Sequence, residues 1–309
     1  MEIALYIIGG LIVLIAGGEL TVKGAVNLAN KFNVPKAVIG LTIVAYATSL
    51  PEGVVTFKAS LDNLYDLAIG NIIGSNISNI LLIMGAALII KPYTEGFKFT
   101  KFEAAIVLIS TISFVVFGYL FNVGLYASLI FTAIALYYSK NLWGQIKNNP
   151  PEDASGDDIS LTYTIAYLVL GFAGLKFGAD YLIDGSVQLA TMFGIPQAII
   201  GVTIIALGSS LPELATAVSS ARNNHTDLAL ANILGSCFVN IVGVLGITGY
   251  FVNIPVNRMF FEFDIWYMLA ATIALCGLLI VKNKIGRTAG ICFIIAYFAY
   301  IAKQVAEVL

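Results

Sequence analysis

Charged residues are scarce in this chain of 309 residues. Asp, Glu, Lys and Arg together make up 11% of it, whereas 59% of the residues are hydrophobic. A water-soluble domain of ordinary composition carries about a quarter charged residues, so we exclude that class and expect the lipid bilayer to be the solvent. The apolar runs are roughly 17 to 25 residues long, which is the length an α-helix needs to cross the hydrocarbon core. The sequence therefore predicts spanning helices and not a β-barrel.

Cysteine and N-terminal basic residues are also scarce. The three cysteines, Cys237, Cys276 and Cys292, all lie in apolar runs. We interpret them as buried hydrophobic residues and not as disulfide or zinc ligands. Because no basic segment precedes the first apolar run, we expect no cleaved signal peptide, and the first helix should remain in the protein.

Ten apolar runs predict ten transmembrane helices, which makes the chain an all-α polytopic membrane protein. The predicted helices span residues 3–30, 34–59, 65–90, 100–120, 123–140, 160–191, 195–221, 226–251, 261–281 and 286–306. Residues 1–140 would form a first five-helix repeat and residues 160–309 a second. The polar segment 141–159 between them is predicted to be a flexible linker.

The distribution of basic residues predicts the orientation in the membrane. When the loops are assigned alternately to two sides, eleven Lys and Arg residues fall on one side and three on the other. The basic side is expected to be cytoplasmic. This places both termini outside the cytoplasm, places the 141–159 linker inside it, and predicts a multi-pass protein of the cell membrane.

The two halves contain an internal repeat. Shifted by 161 positions, residues 17–85 align without a gap with residues 178–246, and Ser-Leu-Pro-Glu at 49–52 meets Ser-Leu-Pro-Glu at 210–213. Each half holds five helices, an odd number, so the second copy would enter the membrane from the opposite side. Inverted repeats with interrupted helices are typical of transporters whose substrate site lies near the bilayer midplane.

Two acids lie near the middle of the repeated segments. An ionised carboxylate at the depth of Glu52 or Glu213 costs at least about 2.5 kcal/mol, and no Lys or Arg lies at a matching depth in the same runs. A bound cation or a proton is therefore the expected partner. Pro51 and Pro212 each remove a backbone donor directly before the acid, which predicts a kinked or broken helix with freed carbonyl groups.

Hydroxyl and amide side chains accompany these acids. Because the set contains no His, Cys or Met, it is typical of a site for a hard cation such as Ca²⁺ or Na⁺, and competition between the two ions would produce exchange. Asn71 and Asn232 either line the ion path or hold helices together. The candidate oxygen ligands besides the acids are Thr48, Ser49, Ser75 and Asn79 in the first copy, and Ser209, Ser210, Ser236 and Asn240 in the second.

These motifs resemble those of the cation/Ca²⁺ antiporter superfamily, most closely its sodium/calcium exchanger family of prokaryotic type. The signatures lie at 40–52 with 70–79 and at 201–213 with 232–240, and the resemblance covers nearly the whole chain. It implies that the second, third, seventh and eighth helices surround the ions, while the long first and sixth helices slide across them to give alternating access. The implied ligands are Glu52, Glu213, Thr48 and Ser209, the backbone carbonyls of Ala45 and Ala206, the flanking Ser49, Ser210, Ser75 and Ser236, and the central Asn79 and Asn240.

The implied function is secondary active antiport and not enzymatic catalysis. The resemblance implies electrogenic exchange of three Na⁺ for one Ca²⁺. Many prokaryotic and K⁺-dependent relatives carry Asp where this sequence has Asn240, and an acid there is associated with K⁺ use, so Asn240 argues against a requirement for K⁺. We expect no cofactor, no nucleic acid and no obligatory protein partner besides the transported ions and the bilayer. The alternatives are an H⁺/Ca²⁺ exchanger of the same superfamily, an intramembrane enzyme and a passive channel.

Overall fold

The computed structural model describes residues 2–94, 100–148, 160–195, 204, 206–282 and 284–308. Helices account for most of these residues, and the β pairing within them is limited to two isolated bridges. A helical turn Ala206–Gly208 precedes α8, and a 3₁₀ turn Arg258–Phe261 precedes α10. The helices are α1 Glu2–Phe32, α2 Lys36–Thr48, α3 Leu50–Leu61, α4 Tyr65–Ile90, α5 Thr100–Leu120, α6 Leu125–Asn148, α7 Leu161–Met192, α8 Leu211–Arg222, α9 Thr226–Phe251, α10 Asp264–Lys282 and α11 Arg287–Val308.

Several of these helices are suited to crossing a membrane. Within the described residues seven are long and apolar enough, and the bent pair of α2 and α3 raises the number to eight. The prediction of an all-α polytopic membrane protein is thus confirmed. Part of the predicted helix 195–221 lies outside the described residues, so the count of ten transmembrane helices stays a prediction.

Most helix boundaries lie close to the predicted ones. The helices α4 and α9 begin and end at the expected residues, whereas α6 ends at Asn148, eight residues beyond the prediction. Leu142 is buried and Ile146 packs on the same core, so an apolar pair four residues apart continues the helix into the segment predicted as linker. Residues 149–159 lie outside the described part of the chain.

The helices form a buried centre and an outer pair. In α4 and α9, 78% and 94% of the residues in the most apolar stretch are buried, compared with 22% in α1. The helices α1 and α7 pack along each other through glycines: a Cβ atom on Gly17 would lie 2.5 Å from the backbone nitrogen of Leu175, and one on Gly10 would lie 2.6 Å from that of Leu182. Small residues allow this close approach of two helix backbones.

Three of the helices contain a π-helical segment. These segments are Gly40–Val44 in α2, Ser78–Ile83 in α4 and Val239–Leu245 in α9. The π turn is rare in proteins overall, and those that do occur are often found at functional sites. Two of the predicted ligands, Asn79 and Asn240, lie within such segments.

Local backbone geometry repeats at the 161-residue interval. Asn63 and Asn224 adopt positive φ angles of 61° and 62° in the turns that precede α4 and α9. Ser49 and Ser210 have φ, ψ angles of −84°, 4° and −88°, 4° between the paired helical segments. The aligned sequences therefore fold into the same local structure in both halves.

Candidate ion-binding site

Both Ser-Leu-Pro-Glu motifs lie at helix breaks. The axes of α2 and α3 differ by 45°, and Ser49 is the residue between them. Pro51 lies in the first turn of α3 and Pro212 in the first turn of α8, where a missing backbone N–H is tolerated. The predicted interruption of each helix before its acid is confirmed.

The two acids are fully buried. Glu52 and Glu213 have exposed fractions of 1% and 0%, and each lies in the first turn of the helix that follows the break. A helix N-terminus favours a negative charge. The two carboxylates are close enough to repel each other when both are ionised. No Lys or Arg in the described part of the chain forms an ion pair with either one.

Hydroxyl groups of each motif face the acid of the other motif. The Ser49 Oγ donates to Glu213 Oε1 at 3.3 Å, and Thr48 lies beside the same carboxylate. Ser209 and Ser210 lie beside the carboxylate of Glu52. The structure thus brings both acids and four predicted hydroxyl ligands into one site to which both halves contribute.

The predicted amide ligands flank this site. The helix α3, which carries Glu52, packs against the π segment that contains Asn240, and α8 packs against the π segment that contains Asn79. Asn79 and Asn240 have exposed fractions of 1% and 0%. Ser236 and Ser75 are also buried, and Ser75 in addition lines a cavity described below.

The two predicted backbone ligands have different surroundings. The carbonyl oxygen of Ala45 accepts hydrogen bonds from the Ser49 N–H at 3.0 Å and the Thr48 hydroxyl at 3.4 Å. In the second copy, the Ser210 N–H donates instead to the carbonyl of Leu207 at 3.1 Å. The role of the Ala45 and Ala206 carbonyls stays a prediction.

The two other repeated asparagines hold the acid-bearing helices in place. Asn71 Nδ2 donates to Thr56 Oγ1 at 2.9 Å and to the Glu52 carbonyl at 3.2 Å. Asn232 Nδ2 donates to Thr216 Oγ1 at 3.1 Å. Of the two roles left open by the sequence, helix attachment is therefore observed for both, and Asn71 also lines the cavity.

Many buried polar atoms at this site have no hydrogen-bond partner among the described residues. A buried polar group left unsatisfied costs about 1–3 kcal/mol, so such a concentration fits a ligand that supplies the missing partner. Within the described ranges, no group of three or more His, Cys, Asp or Glu side chains is arranged to hold a metal ion. Two acids with neutral oxygens suit Na⁺ or Ca²⁺ better than a transition metal. The unpartnered atoms include both carboxylate oxygens of Glu52, Oε2 of Glu213, the hydroxyls of Ser210 and Ser236, and the amides of Asn76, Asn79 and Asn240.

Asn76 is a residue that the sequence analysis missed. It has an exposed fraction of 1%, and both of its amide atoms lack a hydrogen-bond partner in the described part of the chain. It lies one residue after Ser75 and three before Asn79. An amide within an apolar run, on the same helix as two predicted ligands, was the available signal.

A cavity of about 1020 Å³ leads to the site from one side. Ser75 and Ser209 lie on its wall, and Asp66, Asp264 and Gln304 also line it. Asp66 is nine residues before Ser75 on α4, which corresponds to about 13 Å along the helix. The cavity therefore extends from the first turn of α4 to the ion site, and α7 and α11 contribute to its walls.

The equivalent path from the other side is packed. A Cβ atom on Gly74 would meet nothing within 4 Å, whereas one on Gly235, 161 residues later, would lie 2.7 Å from the Cβ of Ala45. Leu67 is 55% exposed, whereas its counterpart Leu228 is 1% exposed. Among the described residues, the cavity side of the site is therefore open and the equivalent positions on the other side are closely packed.

Polar contacts join the loops at the packed side. Lys36 Nζ lies 3.5 Å from His225 Nδ1, and Lys91 Nζ donates to Asn224 Oδ1 at 2.7 Å. Burial and the ammonium group of Lys36 lower the pKa of His225 below its usual value, while Asp227 acts in the opposite direction. These contacts connect the start of α2 and the end of α4 to the turn between α8 and α9.

The fold and site define a polytopic helical membrane protein with a buried polar site between two broken helices. The family model described as "Sodium/calcium exchanger protein" matches residues 2–140 and 163–306. The chain belongs to the sodium/calcium exchanger family. Several relatives are named as antiporters or exchangers and not as enzymes, and the family match supports cation/Ca²⁺ exchange by this chain.

Several named relatives and solved structures match along nearly the whole chain. The putative antiporter CaxA of Alkalimonas amylolytica is 33% identical, over 96% of both chains. The sodium/calcium exchanger MaX1 of Methanosarcina acetivorans is 31% identical, over 94% of this chain and 95% of MaX1. A structure of the sodium-calcium exchanger NCX_Mj superimposes with a TM-score of 0.84 at 29% identity, covering 98% of both chains.

Proposed function

We propose that this protein exchanges Na⁺ for Ca²⁺ across the cell membrane by alternating access. The observation that carries the proposal is the arrangement at the two helix breaks, where each buried acid faces hydroxyl groups of the other copy. The proposed ion site consists of Glu52, Glu213, Thr48, Ser209, Ser49, Ser210, Ser75, Ser236, Asn79 and Asn240, with the backbone carbonyls of Ala45 and Ala206.

The charge of the site suits competition between the two ions. Two carboxylates neutralise one Ca²⁺, and the surrounding hydroxyl and amide oxygens offer places for several Na⁺. Exchange of three Na⁺ for one Ca²⁺ would move one net positive charge per cycle, so transport would be electrogenic. With Asn240 in place of an acid, the site has no third carboxylate to hold K⁺, and exchange would be independent of that ion.

Na⁺ is favoured over H⁺ as the counter-ion because of the neutral oxygens. A proton needs only a carboxylate oxygen, whereas Na⁺ needs several oxygen ligands at once. The unpartnered hydroxyl and amide atoms around the acids fit the second requirement.

The access path supports a cycle in which the outer helix pair moves. The helix α7 forms part of the cavity wall and packs against α1 along its length. Movement of this pair across the inverted repeats would close the cavity and open the opposite path. The basic loops lie at the packed side, so we propose that the structure represents the state open to the outside, with both termini and the 62–64 turn outside and the 141–159 linker in the cytoplasm.

Flux through purified protein in sealed proteoliposomes tests the proposal. Vesicles loaded with Na⁺ and diluted into Na⁺-free medium should take up ⁴⁵Ca²⁺, and an inside-positive potential set with K⁺ and valinomycin should accelerate the uptake. Uptake should be the same with choline in place of external K⁺ when no potential is imposed. Ca²⁺ uptake that follows a pH gradient and ignores a Na⁺ gradient would replace the proposal with H⁺/Ca²⁺ exchange, and uptake that needs no counter-ion would indicate a channel.

A further inference from the structure

Three buried asparagines lie where α4 and α9 cross. The α-helical part of α4 packs against the π segment of α9, and the α-helical part of α9 packs against the π segment of α4. Asn76, Asn79 and Asn240 have exposed fractions of at most 1%, and none of their six amide atoms has a hydrogen-bond partner among the described residues. The three amides therefore do not satisfy one another.

Asn76 faces away from the open cavity. Its neighbours Ser75 and Ser78 both line that cavity, whereas Asn76 does not. Residues three apart are neighbours on a helix surface, so Asn76 lies beside Asn79. Its amide is directed into the helix packing and not towards the aqueous path.

The second copy shows where a side chain at this position points. The counterpart of Asn76 is Cys237, whose thiol lies close to Cys276 of α10, beside the amide of Asn79 and close to the carboxylate of Glu213. Because the local backbone repeats at 161 residues, position 76 is expected to point towards the equivalent place beside Asn240. The two copies thus present an amide on one side of the site and a thiol on the other.

The chemistry of the two side chains differs. An amide oxygen is a good ligand for hard cations, whereas a neutral thiol is a poor one. We propose that Asn76 is a further specificity-determining residue of the ion site, and that its side-chain oxygen binds Na⁺ together with Asn79 and Asn240 at the crossing of α4 and α9. This inference rests on the proposed function, since it assigns a role within the same exchange.

The expected effect is selective for Na⁺. Ca²⁺ is held mainly by two carboxylates, so the loss of one neutral oxygen removes a small share of its binding. The Na⁺ ion proposed at the crossing relies mainly on the neutral oxygens of the three amides, so the same loss removes a larger share of its binding.

The experiment compares three substitutions at position 76 with one at its counterpart. Asn76→Leu keeps the size and removes the oxygen, Asn76→Cys introduces the residue that the other copy carries, and Asn76→Asp keeps an oxygen. Cys237→Ala is the matched control, because it removes a side chain at the equivalent position that is a poor ligand for either ion. Each protein is assayed for the Na⁺ and the Ca²⁺ concentrations that give half-maximal exchange, and for the rise in melting temperature caused by Na⁺ alone or Ca²⁺ alone in detergent.

For the Leu and Cys variants, the Na⁺ concentration that gives half-maximal exchange should rise at least tenfold, whereas that of Ca²⁺ should stay within threefold of wild type. Na⁺ alone should no longer raise the melting temperature of these variants. The Asp variant should bind Na⁺ at least as well as wild type, and Cys237→Ala should stay within threefold for both ions.

The inference is overturned if the folded Leu or Cys variants keep wild-type Na⁺ dependence, or if both ion requirements rise by the same factor. Should Leu disrupt folding, the Cys variant decides, because the other copy accommodates Cys. Wild-type protein that lacks Na⁺-driven flux defeats the proposed function, whereas the Na⁺-induced shift in melting temperature still tests Asn76.

Discussion

The hydrogen bond from Ser49 to Glu213 is the most direct connection between the two halves of the site, and its removal gives a sharp prediction. The Ser49 hydroxyl and the Glu213 carboxylate are 3.3 Å apart and both are buried. Hydrogen bonds to charged groups contribute about 1.5–3 kcal/mol. Because 3.3 Å exceeds the usual O–H···O distance of about 2.7–2.8 Å, we take the lower end, about 1.5 kcal/mol. Because this bond holds the Glu213 carboxylate in the position from which it would bind the ion, its loss in Ser49→Ala should weaken ion binding about tenfold.

Ser60→Ala is the matched control for this prediction. Ser60 is equally buried, lies on the helix that carries Glu52, and donates to the backbone carbonyl of Thr56 at 2.8 Å. Its hydroxyl is committed to its own helix, so its removal should leave the ion requirements within twofold. The assay is the Ca²⁺ and Na⁺ dependence of ⁴⁵Ca²⁺ uptake in proteoliposomes containing equal amounts of folded protein.

A double-mutant cycle isolates the contact. The Glu213→Asp substitution keeps the charge but moves it away from Ser49. In this background, Ser49→Ala should change the free energy of ion binding by less than half of the amount that it does in the wild type. The reasoning is refuted if Ser49→Ala and Ser60→Ala have equal effects, or if Ser49→Ala costs the same in both backgrounds.

Three further predictions concern the acid, the loop histidine and the outer helix pair. Glu213→Gln should lower Ca²⁺ uptake at least a hundredfold without lowering the melting temperature, because it removes a buried charge that has no cationic side-chain partner among the described residues; a normal rate of uptake would contradict the assignment. His225 has a lowered pKa, so the folded protein binds its proton less tightly than the unfolded chain and its stability should fall as the pH drops through about 6.5; His225→Asn should show a smaller drop in melting temperature between pH 7.5 and 5.5, and an equal drop would exclude this histidine as the cause. Gly17→Val should destabilise the protein by about 1–3 kcal/mol through the clash with α7, whereas Gly9→Val, whose Cβ would meet nothing within 4 Å, should have little effect in the same thermal unfolding measurement.

The course of the helices could be predicted because the bilayer imposes a length on apolar runs. The bounds of α4 and α9 follow from uninterrupted apolar segments between turn-forming residues. The breaks followed from Pro51 and Pro212, whose missing N–H groups are tolerated at the start of a helix. The end of α6 was missed because its last two turns are polar in composition, and two apolar residues on one face are enough to continue it.

The arrangement within the site could be predicted only in part. The repeat identified Ser49 and Glu213 as members of one site. That the hydroxyl groups of each half lie beside the acid of the other half depends on how the two halves pack, which the sequence does not show. The π segments around Asn79 and Asn240 have no recognised side-chain pattern, so sequence periodicity could not locate them. The one-sided cavity could not be predicted either, because nearly equivalent sequences adopt different exposures at Leu67 and Leu228.

The unequal surroundings of Gly74 and Gly235 have a consequence for judging variants. In the proposed cycle, the space beside Gly74 would be filled when the cavity closes, just as the backbone and side chains of α2 fill the space beside Gly235 now. A larger side chain at position 74 would then fit the conformation with the open cavity. It would hinder the change to the conformation in which the cavity is closed. The melting temperature of such a variant would equal that of the wild type, whereas its transport rate would be lower. The largest side chain that position 74 can carry is therefore set by the conformation in which its surroundings are most closely packed, and not by the conformation with the open cavity.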